Sequence, residues 1–164
     1  MKVEQIMTHQ VLACGPDDTV DVPARIMWEQ DCGCVPVVNA LDDGGPEVMG
    51  MITDRDICMA AYTQGQSLGE IPVATAMSAA LCSCHPSDPV DLALKILQTN
   101  QLHRLPVVDA QNHLVGVISL ADIAREALRE RHAGHGDVSE LRLADALEAI
   151  SKSRQVNNNL TLAH

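Results

Sequence analysis

The sequence contains few aromatic residues and few basic ones. It has one Trp, one Tyr and no Phe among 164 residues, so any core must be built from aliphatic side chains. Acidic residues outnumber Lys and Arg by 22 to 11, and a net charge of −11 argues against a surface that neutralises nucleic-acid phosphates. No apolar run approaches the roughly 20 residues that cross a bilayer. The first residues, MKVEQIMTHQ, also lack the apolar segment of an export signal. We therefore expect a cytoplasmic chain with no nucleic-acid or membrane partner.

The six cysteines leave three readings open. In a cytoplasmic protein reduced thiols are the default, as buried or spectator side chains. A redox pair such as Cys14 with Cys34 is the second reading. A metal site is the third, but the C-x-C spacing of Cys32 with Cys34 and of Cys82 with Cys84 is shorter than structural zinc sites usually show. We expect no metal site.

The second feature of the chain is an internal repeat. Met7, Cys14 and Pro36-Val37-Val38 recur 70 residues later, where Ser78 also matches Thr8. After a four-residue gap, the segment from Gly50 to Ile57 matches the segment 66 residues later, with Gly50, Ile52, Asp56 and Ile57 identical. This is a duplication with too few copies for a solenoid. One unit alone would leave a sheet face uncovered, so the second copy is expected to be the first copy's core partner.

Each copy predicts the same order of elements. A short extended lead precedes a helix, then two Val-rich strands joined by a turn, then a helix that Thr53 or Ser119 would cap. The fold class is therefore α/β (α+β): two pseudo-twofold-related β-α-β-β-α motifs packed sheet to sheet, plus a C-terminal helix. The predicted divisions are motif 1 (1–66), motif 2 (67–131), an amphipathic helix (137–153) that packs on its own module or on a second subunit, and a flexible tail (154–164).

These motifs resemble the cystathionine β-synthase (CBS) domain family, in which two motifs pair into one module. The resemblance covers about residues 3 to 130 and rests on IMT or AMS, then PVV, then GMITDRDI or GVISLADI, in the same order in both copies. The family commonly binds adenine nucleotides in clefts between the two motifs. In it, a Thr or Ser hydroxyl meets phosphate and an Asp three residues later accepts hydrogen bonds from the ribose.

The resemblance implies a set of nucleotide-binding residues. Thr53 with Asp56 and Ser119 with Asp122 match the hydroxyl and carboxylate positions. His103 and Arg104 match a segment that, in one kinase regulatory subunit of the family, contacts phosphate at a site whose Thr and Asp come from the other motif. Arg55 would add charge to the first site, and the residues expected to contact adenine are Thr8, Val11, Val35, Ser78, Leu81 and Leu105.

Local sequence also supports plainer readings of the same residues. Thr53 and Ser119 fit ordinary helix N-caps, and His103 and Arg104 fit exposed cations at a helix end. Gly33 and Cys34 occupy the positions of His103 and Arg104 in copy one, so we expect the site built on Ser119 to be weaker or empty.

No catalytic motif accompanies these residues, so we expect no enzymatic activity and no required cofactor. The leading hypothesis is a regulatory module with an adenine nucleotide (AMP, ADP or ATP class) as its ligand. It would act as a homodimer whose conformational change an unidentified regulated protein reads. The alternative is a structural or redox-responsive interaction protein that acts through its cysteines or its C-terminal helix and has a vestigial nucleotide cleft.

Overall fold

The computed structural model describes residues 1–41, 45–79, 82–132 and 140–152. The expectations for Leu81, for the first residues of the C-terminal helix and for the tail fall outside these ranges. The described elements follow in chain order: α1 (Asp21–Glu29), β1 (Cys34–Leu41), β2 (Gly45–Thr53), α2 (Asp54–Gln64), α3 (Val73–Ala76), α4 (Val90–Asn100), β3 (Arg104–Val108), β4 (Leu114–Ser119), α5 (Leu120–His132) and α6 (Glu140–Ser151).

The strands form two small antiparallel sheets, one from each copy of the repeat. β1 pairs with β2 and β3 pairs with β4, and both ladders carry a bulge at the same place, after Val37 and after Val107. At the bulge the extended lead of each copy joins the sheet through one parallel bridge, from Cys14 or from Cys84. The predicted mixed fold class is confirmed, with the first strand of each motif reduced to that single bridge.

The two copies exchange their first segments. Val3 and Met7 pack in the hydrophobic core of the second copy, whereas Ile71 and Val73 pack in the core of the first. We call the first half α1, β1, β2 and α2 with residues 68–78, and the second half residues 1–8 with α4, β3, β4, α5 and α6. A fully buried valine such as Val3 or Val73 contributes about 1.5–3 kcal/mol. Each copy therefore depends on the other for part of its core.

Two glycines allow the exchanged segments to approach the sheets. A Cβ on Gly50 would lie 2.5 Å from the Ser78 carbonyl oxygen, and one on Gly116 would lie 2.7 Å from that of Thr8. Both carbonyls accept backbone hydrogen bonds from the strands, from the N–H groups of Met51 and of Val117. The close approach requires glycine because real Cβ atoms essentially never come this near to a backbone oxygen.

Helix α6 packs on α4 of its own chain. Ala146 and Ile150 are buried in the second core, and the Gln101 side-chain amide donates to the Ala149 carbonyl oxygen at 3.1 Å. Arg142 forms an exposed ion pair with Asp91, with 2.6 Å between nitrogen and oxygen. Of the two surfaces expected for the apolar face of this helix, its own module is therefore the one it covers.

Candidate functional site

Thr53 and Asp56 form a reciprocal cap at the start of α2. The Asp56 N–H donates to Thr53 Oγ1 at 3.2 Å, while Asp56 Oδ2 accepts from both the N–H and the hydroxyl of Thr53, at 2.9 and 2.7 Å. Thr53 has extended backbone, which places its side chain over the free N–H groups of the first helical turn. The residues thus act as a helix cap, and the cap fixes the orientation of the Asp56 carboxylate.

Ser119 and Asp122 repeat this cap at the start of α5. Asp122 Oδ2 accepts from the N–H and the hydroxyl of Ser119 at 2.8 and 2.5 Å, and the Asp122 N–H donates to Ser119 Oγ at 3.1 Å. The two carboxylates differ at their second oxygen. Asp122 Oδ1 forms an ion pair with Arg125, three residues further along the helix. Sequence reasoning missed this pair, although the i, i+3 spacing is a signal for it.

Within the described residues, the corresponding oxygen of Asp56 is not engaged. Copy one has Met59 at the position of Arg125, and within the described part of the chain nothing donates a hydrogen bond to Asp56 Oδ1. Arg55, the expected additional cation, is exposed, and its N–H donates to Asp54 Oδ1 at 2.7 Å. The first half therefore presents an oriented carboxylate with one oxygen available to a ligand.

Arg104 crosses from the second half to the first. A Cβ on Gly33 would lie 3.6 Å from Arg104 Nη1 and 3.4 Å from Asp54 Oδ2, so the absence of a side chain at Gly33 makes room for both groups. Burial raises the pKa of the Cys34 thiol, and the charge and hydrogen bond of Arg104 partly oppose that rise. Cys34 in turn faces Thr53 across the ladder. The structure thus brings Arg104 to the strand end that carries Thr53.

His103 stays with the second half. Its side chain is exposed, and its carbonyl oxygen accepts the Leu120 N–H at 3.0 Å at the start of α5. It lines a cleft of about 300 Å³ together with other residues of that half, among them Arg104, Ser119, Leu120, Leu143 and Leu147. His103 is therefore grouped with Ser119, whereas the sequence expectation placed it opposite Thr53.

The expected adenine contacts divide between the halves. Ser78 exchanges two backbone hydrogen bonds with Met51, beside the Thr53 end of β2, and Thr8 exchanges two with Val117 on β4. Ser78 therefore lies in the half that contains Thr53, although it belongs to the second copy of the repeat.

The remaining adenine candidates are less accessible. The side chains of Val35 and Leu105 are 1% and 0% exposed and belong to the two separate cores, so a ligand would meet only their backbone. Val11 is half-buried, and Leu81 lies outside the described residues. An apolar residue beside a predicted site has the same sequence signal whether it contacts a ligand or fills the core, so the sequence did not separate these two roles.

A second cleft, of about 530 Å³, opens on the first half. Its lining residues are Met27, Trp28, Asp31, Cys32, Gly33 and Asp54. At the repeat offsets, Gly33 corresponds to His103 and Asp54 to Leu120, so the two clefts share two equivalent lining positions. Asp54 and this cleft were not singled out from the sequence.

The cysteines are all free thiols. Burial is the main cause that raises the pKa of Cys14 to about 11 and that of Cys84 to about 12, which keeps both thiols protonated at neutral pH. Among the residues described, no three His, Cys, Asp or Glu side chains converge on a point where a metal ion would fit. Within the same ranges, no helix has the length and apolar character needed to span a bilayer.

Comparison with known proteins agrees with this architecture. The CBS domain model matches residues 3–62 and 69–129. The CBS domain-containing protein YhcV of Bacillus subtilis (strain 168) is 36% identical over 132 residues, which cover 80% of this chain and 89% of YhcV. Among longer relatives, which include enzymes, the chain covers only 22–23% of the length of some.

Two solved structures share the fold and carry ligands. The structure of CBSX2 in complex with AMP is 24% identical, with a TM-score of 0.67, and the match covers 79% of this chain and 98% of that one. The CBS domain pair of MJ0100, in complex with 5′-methylthioadenosine and S-adenosyl-L-methionine, is 22% identical, with a TM-score of 0.65 over 77% of this chain and 94% of that one. The two family-model matches, the YhcV relationship and the paired motifs lead to one conclusion: this chain belongs to the CBS domain family and carries two copies of the domain.

Proposed function

We propose that this chain is a non-catalytic regulatory module of the cytoplasm that binds an adenosine-containing nucleotide between its two motifs. The observation that carries the proposal is the Asp56 carboxylate, which the cap orients while leaving Oδ1 without a partner in the described chain. A carboxylate held in this way accepts hydrogen bonds from the two hydroxyls of a ribose. The start of α2 beside it carries the partial positive charge of a helix N-terminus, which attracts phosphate.

The difference between the halves favours Thr53 and Asp56 as the principal site. Arg104 also lines the cleft of the second half beside Ser119, but its guanidinium group reaches Gly33 and brings a permanent positive charge to the strand end that carries Thr53. This group suits phosphate oxygens because it donates through two nitrogens at once. In the second half, Arg125 already occupies the equivalent carboxylate oxygen. A ligand at Ser119 and Asp122 would have to displace that ion pair, so this site is the weaker one.

The ligand class is supported by the two neighbours that hold AMP or S-adenosyl compounds. Because the two halves share exchanged segments, a ligand that draws Arg104 toward α2 acts on both halves at once. Its regulatory effect is a shift in the relative population of two arrangements, which requires different affinities for the two. We further propose that the module is a homodimer and that a separate regulated protein responds to the shift.

Ligand-dependent thermal stability tests the site. A ligand that binds only the folded protein raises its stability by RT ln(1 + [L]/Kd), about 2.7 kcal/mol at a hundredfold excess over Kd. AMP, ADP, ATP and S-adenosylmethionine are compared on the reduced protein and on the variants Asp56→Asn and Asp122→Asn. Both substitutions weaken an equivalent cap by about 1 kcal/mol, so the ligand-induced shift, not the unliganded melting temperature, separates them.

The expected result is a concentration-dependent shift that Asp122→Asn retains and Asp56→Asn loses. Equal losses in both variants would show that the first site has no special role. No shift with any of the four ligands at millimolar concentration would refute adenosine binding itself. Arg104→Gln is expected to weaken the binding of ATP more than the binding of adenosine, because only the phosphates interact with the guanidinium charge.

A further inference from the structure

The C-terminal helix covers a groove on the second half, and no described residue covers the counterpart of that groove on the first half. In the second half, α6 packs Ala146 and Ile150 into the core that contains Leu97, and Gln101 donates to the Ala149 carbonyl oxygen. At an offset of 70, Leu97 corresponds to Met27 and Gln101 to Asp31. Both counterparts line the 530 Å³ cleft of the first half. The cleft is thus the equivalent of the seat of α6.

The two seats share their backbone geometry. Asp31, two residues beyond the end of α1, and Gln101, directly after α4, have nearly the same left-handed φ, at 49° and 52°. Beyond them, the Asp54 N–H donates to the Gly33 carbonyl oxygen as the Leu120 N–H donates to that of His103. A helix that lies on α4 therefore has an equivalent path along α1.

The open groove differs from the covered one in charge. Glu29, Asp31 and Asp54 stand where the second half has Thr99, Gln101 and Leu120, and all three acidic side chains are exposed. Helix α6 itself carries Glu140, Asp145 and Glu148 against one Arg, so a second copy's α6 would meet like charge there. At the position of Gln101, which donates to helix carbonyls, Asp31 can only accept.

An exposed aromatic residue marks the same groove. Trp28, the single tryptophan of the chain, lines the cleft and is 87% exposed, at the position of Gln98 in the second half. Large aromatic side chains at the rim of a groove are typical anchors of protein interfaces. Arg104 reaches the Gly33 side of the groove, and the three carboxylates still give its rim a net negative charge.

We propose that this groove, formed by Met27, Trp28, Asp31, Cys32, Gly33 and Asp54, binds a basic amphipathic helix of a partner protein. The helix lies along α1 as α6 lies along α4 and covers Met27 and Trp28 with apolar residues. It places Lys or Arg opposite Asp54 and, in its last turn, opposite Glu29 and Asp31. Basic residues in the last turn also stabilise the negative end of the docked helix. The interaction requires no nucleotide, although Asp54 of the groove lies in the same helical turn as Asp56.

Fluorescence of Trp28 reports occupancy directly because the chain has no other tryptophan. The probe is a blocked synthetic peptide with the sequence of residues 140–152 that carries Leu147→Lys, Glu148→Lys and Ser151→Arg. Two control peptides are the unmodified sequence and a scrambled version of the basic one with the same composition. The protein variant Glu29→Thr/Asp31→Gln gives the groove the residues of its counterpart. Gln101 adopts nearly the same backbone φ as Asp31, so a Gln at position 31 fits that conformation.

The basic peptide is expected to shift Trp28 emission to the blue with saturation and to bind at least tenfold more tightly than either control peptide. The double variant should weaken it about tenfold, roughly threefold for each carboxylate removed. Equal binding of the scrambled peptide, or no shift with the basic peptide, would overturn the proposal. So would a homodimer in sedimentation velocity that Trp28→Gln dissociates, because a second copy would then occupy the groove.

Discussion

Replacing Gly50 by alanine tests the exchange of segments between the halves. The new Cβ would lie 2.5 Å from the Ser78 carbonyl oxygen and 3.3 Å from its carbonyl carbon. Both are backbone atoms, which cannot rotate away as a flexible side chain would, and the Met51 N–H holds the oxygen at 3.1 Å. The segment that carries Ile71, Val73 and Ser78 must therefore move away from β2.

The magnitude follows from two opposing effects. Overpacking of a well-packed site costs about 1–3 kcal/mol, and a clash with backbone belongs in the upper part of that range. Loss of glycine freedom in the unfolded chain returns about 0.4–1 kcal/mol. We expect a net loss of about 2 kcal/mol, which for a chain of this length lowers the melting temperature by roughly 4–8 °C.

Circular dichroism during thermal and urea unfolding measures the change. Gly69→Ala is the matched control because a Cβ there meets nothing within 4 Å, and it should not be destabilised. Gly50→Ala should also reduce the nucleotide-induced shift, because Ser78 lies in the half that contains Thr53. If Gly50→Ala unfolded at the same temperature as Gly69→Ala, the close packing of the exchanged segment against β2 would be refuted.

Three further predictions concern the buried thiols and the C-terminal helix. Because the folded pKa values of Cys14 and Cys84 are raised to about 11 and 12 from 9.0, the folded state retains protons that the unfolded state releases. Stability should be unaffected by these groups below pH 9 and fall as pH rises from 9 toward 11–12. Cys14→Ala should flatten that fall in urea unfolding curves, and an unchanged slope would contradict it. Ile150→Ala should cost about 2 kcal/mol and expose α6 to limited proteolysis, whereas Leu147→Ala, at a 52% exposed position, should cost far less, and equal losses would contradict the packing of α6. Arg142→Gln removes only an exposed ion pair and should change stability by less than about 1 kcal/mol, and a larger loss in the same urea curves would contradict this.

The repeat made much of the fold predictable because both copies have the same turn and capping residues at the same spacing. Thr53 and Ser119 were expected at helix N-termini, and both cap helices there. The reciprocal bonds from their backbone N–H groups to Asp56 and Asp122 follow from the three-residue spacing. These are local interactions, so a local sequence signal is sufficient for them.

The exchange of first segments was not predictable in the same way. The sequence around Val3 or Val73 does not show which sheet the residue covers, its own or that of the other copy. Only the tertiary arrangement determines this. The contact between Arg104 and Cys34 has the same character. They occupy equivalent positions in the repeat, and residues related by a pseudo-twofold axis can touch only near that axis. The duplication therefore identifies Arg104 and Cys34 as equivalent residues, but their contact can be inferred only when the position of the axis is known.

The two halves have diverged at their surfaces in a consistent direction. In the second half, the chain itself engages both the cap carboxylate and the groove: Arg125 pairs with Asp122, and α6 covers the groove over α4. In the first half, Met59 replaces the arginine, Asp56 keeps an available oxygen, and the groove beside Trp28 is open and acidic. Each difference removes an internal partner from the first half, while the equivalent core positions of both halves stay buried. Since Asp54 lines the groove and Asp56 lies two residues away on the same helical turn, a partner helix and a ligand bound to the first half would both act on the start of α2.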